Sequence, residues 1–215
     1  LLIFSSAIGT ALFPIVSAVW NSGRKNKLGN GISLLIKFAF LFVVPFAIIL
    51  VTFPEIVINA IFGPSYAGAA PLLQILSVSV VFQSLYSIMF IALLAIGKPG
   101  ITTKIAIFVA VINLLLNLFL INMIGVIGAA ISSVTSYFLA LVMTYATLKK
   151  YMKLDFKVTE LINIFLGGVI SAGVVLVIKG MLVSIPILEA VISISAGVLF
   201  YIAFIFITGV VKKTD

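Results

Sequence analysis

The chain holds no cysteine and no histidine in its 215 residues. Disulfides, thiolate nucleophiles, zinc held by its usual donors and imidazole acid–base chemistry are therefore absent from this segment. No redox compartment is legible. Acidic residues are nearly as scarce, five against thirteen Lys and Arg. Glu55, Glu160 and Glu189 fall near the ends of apolar runs and Asp155 lies in a polar linker, so none stands at the centre of a run. Intramembrane acids are the usual carriers of proton coupling, and a hydrolase or transferase needs paired carboxylates, an activated nucleophile or a metal set. The sequence offers no catalytic residue, no metal ligand and no cofactor motif.

Apolar residues fill the space that charge leaves. They make up 64% of the chain, and charged residues only 8%, where an ordinary soluble domain carries about 25%. Mean hydropathy is +1.43. Length is then better counted in bilayer crossings of about 20 residues each. Seven runs read as spans: 1–20, 32–54, 71–96, 101–122, 127–148, 160–183 and 186–210. The separators NSGRKNKLGNG, GPSYAGAA, GKPG, NMIG, KKYMKLDFK and VSIP carry turn chemistry or charge and are too short for a folded soluble domain. The first run opens at Leu1 with no basic stretch before it, and the expectation is a C-terminal piece of a longer protein whose first span is truncated. The fold class is all-α integral membrane protein.

A net charge of +8 would invite nucleic acid in a soluble protein, but these charges sit between spans. They alternate. Arg24, Lys25 and Lys27 follow the first run, Lys98 and Lys104 flank the turn after the third, Lys149, Lys150, Lys153 and Lys157 follow the fifth, and Lys212 and Lys213 the seventh. With Lys37 near the same side and Lys179 at the margin of the other, twelve of the thirteen basic residues share one side. Short basic loops stay in the cytoplasm. The expectation is a multi-pass plasma-membrane protein with a cytoplasmic C terminus.

Polar side chains inside the runs are the only candidates for contact with a substrate. Ser5, Ser6 and Thr10 cluster upstream of Pro14 in the first; Gln74, Gln83, Ser84 and Ser87 lie in the third; Asn113 and Asn117, spaced i, i+4, share a face of the fourth. Buried amides must find partners, so the Asn pair reads first as a bond between helices. Pro14 and Pro45 stand inside runs, where a bend or a cavity lining accommodates the lost donor. Gly128, Ser132, Ser136 and Ala140 form a narrow stripe that predicts a close helix partner, and Gly168 with Ala172 and Ser193 with Gly197 repeat it briefly. Lys37 and Lys104 are candidates for lipid headgroups, although lysines near a boundary commonly snorkel.

One stretch carries more than turn chemistry. FGPSYAGAAPLLQILS, residues 62–77, stands in order with ALFPIVSAVW and its basic loop, LLAIGKPGITTKI, VINLLLNLFLI and IGVIGAAISSVTSY. Together they resemble the polysaccharide-biosynthesis transporters, the O-antigen type flippases, of the multidrug/oligosaccharidyl-lipid/polysaccharide exporter superfamily. The resemblance covers about residues 1–150 by motif and the last two spans by hydropathy and position. It implies a MATE-like two-lobe transporter of twelve to fourteen spans. Residues 1–150 would be the C-terminal lobe, from the end of span 8 to span 12, and 151–215 two appended helices with a short cytoplasmic tail. The implied cargo is a polyprenyl-diphosphate-linked oligosaccharide moved by alternating access, with membrane lipids, the missing N-terminal lobe and other glycan assembly proteins as partners. The first span becomes cavity-lining, which favours Ser5, Ser6, Thr10 and Pro14. The sequence departs from the family in showing no mid-span cation for a diphosphate. A drug or cation exporter of the same superfamily and a non-transporting scaffold for glycan assembly remain as alternatives.

Overall fold

A computed structural model describes residues 2–155, 158–181 and 186–210, with side chains described for 11–155, 159–178 and 190–210. The described residues are helical almost throughout. In chain order the helices are α1 (Leu2–Asn21), α2 (Lys25–Thr52), α3 (Pro54–Phe62), a 3-10 turn (Pro64–Ala69), α4 (Ala70–Ala95), α5 (Pro99–Ile124), α6 (Val126–Leu148), α7 (Val158–Met181) and α8 (Pro186–Ile207). Six helical stretches among them are long and apolar enough to cross a membrane. Helices satisfy every interior backbone group within one segment, which hydrocarbon demands.

Glycine and proline set the boundaries. After α4, Gly97 takes φ 77°, and the amides of Gly97 and Lys98 return to the carbonyls of Leu94 and Leu93, a Schellman end. Pro99 then opens α5, where its missing donor costs nothing. Gly125, at φ 67°, alone separates α5 from α6. Gly63, at φ 90°, ends α3.

The second span differs from its sequence reading at both ends. The Asn-, Gly- and Lys-rich stretch 25–31 reads as loop chemistry, yet it is the first two turns of α2. Gly29 explains part of the gain: a Cβ there would collide with the main chain of Lys153, so its absence admits the linker after α6 and packing offsets the poor propensity. At the other end, α2 stops at Thr52 and the residues from Pro54 form a separate nine-residue helix, α3. Pro54 has no N–H with which to extend α2.

The chain forms two compact units, residues 1–40 with 78–156, and residues 41–77 with 157–215. In the first, Val16 of α1, Ile32 and Ile36 of α2, Ile88 and Leu93 of α4 and Leu148 of α6 share one core. The basic linkers of that unit meet at one end: Lys98 Nζ lies 5.1 Å from the Tyr151 ring centre, and Lys153 lies against Gly29. In the second unit Phe53, Val175 and Ala190 form a smaller core.

The stripe on α6 has the partner its spacing predicts. Gly128, Ser132, Ser136 and Ala140 are all buried, and a Cβ on Gly128 would collide with the Leu120 carbonyl and stand 2.8 Å from Ile121 N, both main-chain groups of α5. Gly168 of α7 likewise abuts Val44 and Ile48 of α2, and Gly197 of α8 abuts Val175 of α7.

Candidate functional site

Among the described residues, the amides and their hydroxyl neighbours fall into three places. In the first unit α5 and α6 form one of them. Asn117 Nδ2 donates to Asn113 Oδ1 at 3.0 Å, and Asn113 Nδ2 donates to Ser136 Oγ at 3.1 Å. The i, i+4 spacing aligns the amides on one face, and the small stripe of α6 brings a hydroxyl within reach. Asn117 Oδ1 is buried and has no hydrogen-bond partner among the described residues.

The second place lies between α4 and α6 of the same unit. Gln83 Nε2 donates to the Tyr137 hydroxyl at 2.9 Å. Tyr137 also faces Tyr86, with ring centres 6.5 Å apart, and Phe138 meets Phe82 edge-on at 5.4 Å. Ser87 Oγ donates to the Ser84 carbonyl within α4. Ser84 Oγ and Thr144 Oγ1 are buried without partners among the described residues.

The third is Gln74, in the second unit. Its Nε2 donates to the Val51 carbonyl at 2.8 Å, satisfying one of the last carbonyls of α2. Pro14 is exposed on α1 between exposed Phe13 and Ile15. The side chains of Ser5, Ser6 and Thr10, upstream on the same helix, lie outside the described residues.

The two lysines separate. Lys104 is exposed near the start of α5. Lys37 is only 6% exposed and stands well inside α2, which begins at Lys25. The first turns of α2, read as loop from sequence, place Lys37 twelve residues into the helix and packed among its neighbours. A residue the sequence reading passed over is Tyr201 of α8, whose hydroxyl donates to the Leu41 carbonyl at 3.1 Å. A tyrosine in the middle of an apolar run was the available signal, since a buried phenol needs a partner.

Chemically these places offer neutral hydrogen-bond donors and acceptors. Amides and hydroxyls of this kind tie helices together in hydrocarbon and are also the groups that match sugar hydroxyls.

Comparison with known proteins adds four observations. The family described as Lipid II flippase MurJ matches residues 1–206. A solved structure, "Lipid II flippase MurJ, inward closed conformation", superposes with a TM-score of 0.76 at 18% identity, over 94% of this chain and 43% of that one. Among curated relatives, the membrane protein MJ1068 of Methanocaldococcus jannaschii is 37% identical over 179 residues, 83% of this chain and 35% of its own length. The probable low-salt glycan biosynthesis flippase Agl15 of Haloferax volcanii is 25% identical over 213 residues, 99% of this chain and 45% of its own length. The chain thus spans less than half the length of these relatives.

Proposed function

The chain belongs to the lipid II flippase MurJ family, and from that premise we propose that it forms part of a flippase carrying lipid-linked oligosaccharide across the plasma membrane by alternating access. Family membership over residues 1–206 is the observation that carries the proposal. The cargo follows from what the named relatives have in common. One is a lipid II flippase and another a glycan biosynthesis flippase; a glycan on a lipid carrier is the shared chemistry, and a polyprenyl diphosphate is the carrier proposed here.

In this reading the sugar and diphosphate pass through a polar cavity while the polyprenyl tail stays in lipid. Ser5, Ser6, Thr10 and Pro14 of α1 line the path, and neutral hydroxyls suit sugars without committing to their charge. Residues 1–150 act as the C-terminal lobe, 151–215 as two appended helices, and the basic linkers with the C terminus face the cytoplasm. Lys104, exposed near that boundary, meets lipid headgroups.

The test is made in the source cell. On depletion of the protein, lipid-linked glycan should accumulate on the inner leaflet, protected from a glycosidase added outside. Unchanged glycan distribution with increased sensitivity to dyes would instead identify an exporter of drugs or cations.

A further inference from the structure

Pro45 stands in the interior of α2. A proline there supplies no N–H to the carbonyl four residues earlier, and its ring presses against that same carbonyl. The carbonyl belongs to Leu41. In hydrocarbon no water takes the place of the lost donor, so another group must, and the Tyr201 hydroxyl does so at 3.1 Å. Tyr201 is 3% exposed and comes from α8, 160 residues away along the chain.

The surroundings of this bond are built to hold it. Gly168 brings α7 against the flanks of the proline: a Cβ there would lie 2.6 Å from Val44 Cγ1 and 3.2 Å from Ile48 Cδ1. Ser171 Oγ of α7 donates to the Gly197 carbonyl of α8 at 2.8 Å, so the two helices that grip α2 are tied to each other. Beside Pro45 a small cavity of about 10 Å³ is bordered by Thr52, Ser171 and Gly197. A proline that breaks the backbone ladder and a donor from another helix coincide.

We propose that Tyr201 is a positioning residue, a latch through which α8 sets the flexure of α2 at Pro45 and which opens and closes as cargo is flipped. Its transport role rests on the flippase reading above; the coupling between Tyr201 and Pro45 does not. The coupling has a specific logic. Alanine at position 45 restores the backbone donor for the Leu41 carbonyl, and the phenol then has nothing left to satisfy.

The experiment uses full-length, cysteine-free protein in nanodiscs with spin labels at Asn30→Cys and Val51→Cys, both exposed positions on α2. The labels stand about 31 Å apart in a straight helix. Tyr201→Phe should broaden the distance distribution and slow flipping of a fluorescent polyprenyl-diphosphate-linked oligosaccharide about threefold, the factor expected for one hydrogen bond between helices in a bilayer. In the Pro45→Ala background, Tyr201→Phe should change neither. An equal effect of Tyr201→Phe with proline and with alanine at position 45, or no effect on distances in either, overturns the latch. If distances respond as expected while the unsubstituted protein moves no glycan lipid, the latch stands and the flippase reading fails.

Discussion

Replacing Gly128 by alanine adds one methyl group to the buried stripe of α6, and the structure fixes what that methyl meets. It falls on the Leu120 carbonyl and 2.8 Å from Ile121 N, inside the ordinary carbon contact of about 3.5–4.0 Å. Both neighbours are main chain of α5, so no side chain can rotate away. α5 and α6 must separate by roughly 1 Å, and a gap of that size forfeits about a quarter to a half of each affected dispersion contact. Overpacking costs about 1–3 kcal/mol, and a backbone obstacle argues for the upper end, about 3 kcal/mol. Alanine returns about 1 kcal/mol of helix propensity, leaving about 2 kcal/mol of net destabilisation. The control is Gly31→Ala in α2, where a Cβ meets nothing within 4 Å and only the propensity gain of about 0.5–1 kcal/mol applies. SDS titration of the full-length protein in mixed micelles, followed by far-UV circular dichroism, should move the two midpoints in opposite directions. A Gly128→Ala protein as stable as the unsubstituted one would refute the claim that the stripe exists for close approach.

Two further outcomes follow from the polar groups and the linkers. Asn113→Ala removes the bond to Ser136 and strips Asn117 Nδ2 of its acceptor, so it should cost about 1–2 kcal/mol in the same titration; Asn117→Leu, which discards a buried oxygen already lacking a described partner, should cost less. Single cysteines at Ser22 and Lys150 should resist a membrane-impermeant maleimide applied to intact cells while those at Ser65 and Asn122 react, and the reverse pattern would invert the orientation.

Much of the architecture was legible because the bilayer imposes it. Glycines 63, 97 and 125 mark ends of helices in sequence and in structure, and the stripe at 128, 132, 136 and 140 announces a buried face. The first turns of α2 were hidden because Asn, Gly and Lys have loop chemistry; part of what makes them helical is the approach of the Lys153 linker to Gly29, a contact over 124 positions of chain. The burial of Lys37 was hidden for the same reason. Local spacing put Asn113 and Asn117 on one face, but it could not name Ser136 as the partner, nor Tyr137 for Gln83, nor Leu41 for Tyr201. Those pairs are set by helix packing. The proposal of Ser5, Ser6 and Thr10 as path residues rests on order along the chain, since their side chains lie outside the described residues.

Reconstitution tests the central claim most directly. Full-length protein in liposomes carrying a fluorescent polyprenyl-diphosphate-linked oligosaccharide should expose about half of the inner-leaflet probe to an impermeant quencher much faster than empty liposomes do. Alanine at Ser5, Ser6 and Thr10 together should slow that exposure while leaving the unfolding midpoint in place. Exposure no faster than in empty liposomes, from protein shown to be folded, would contradict the account.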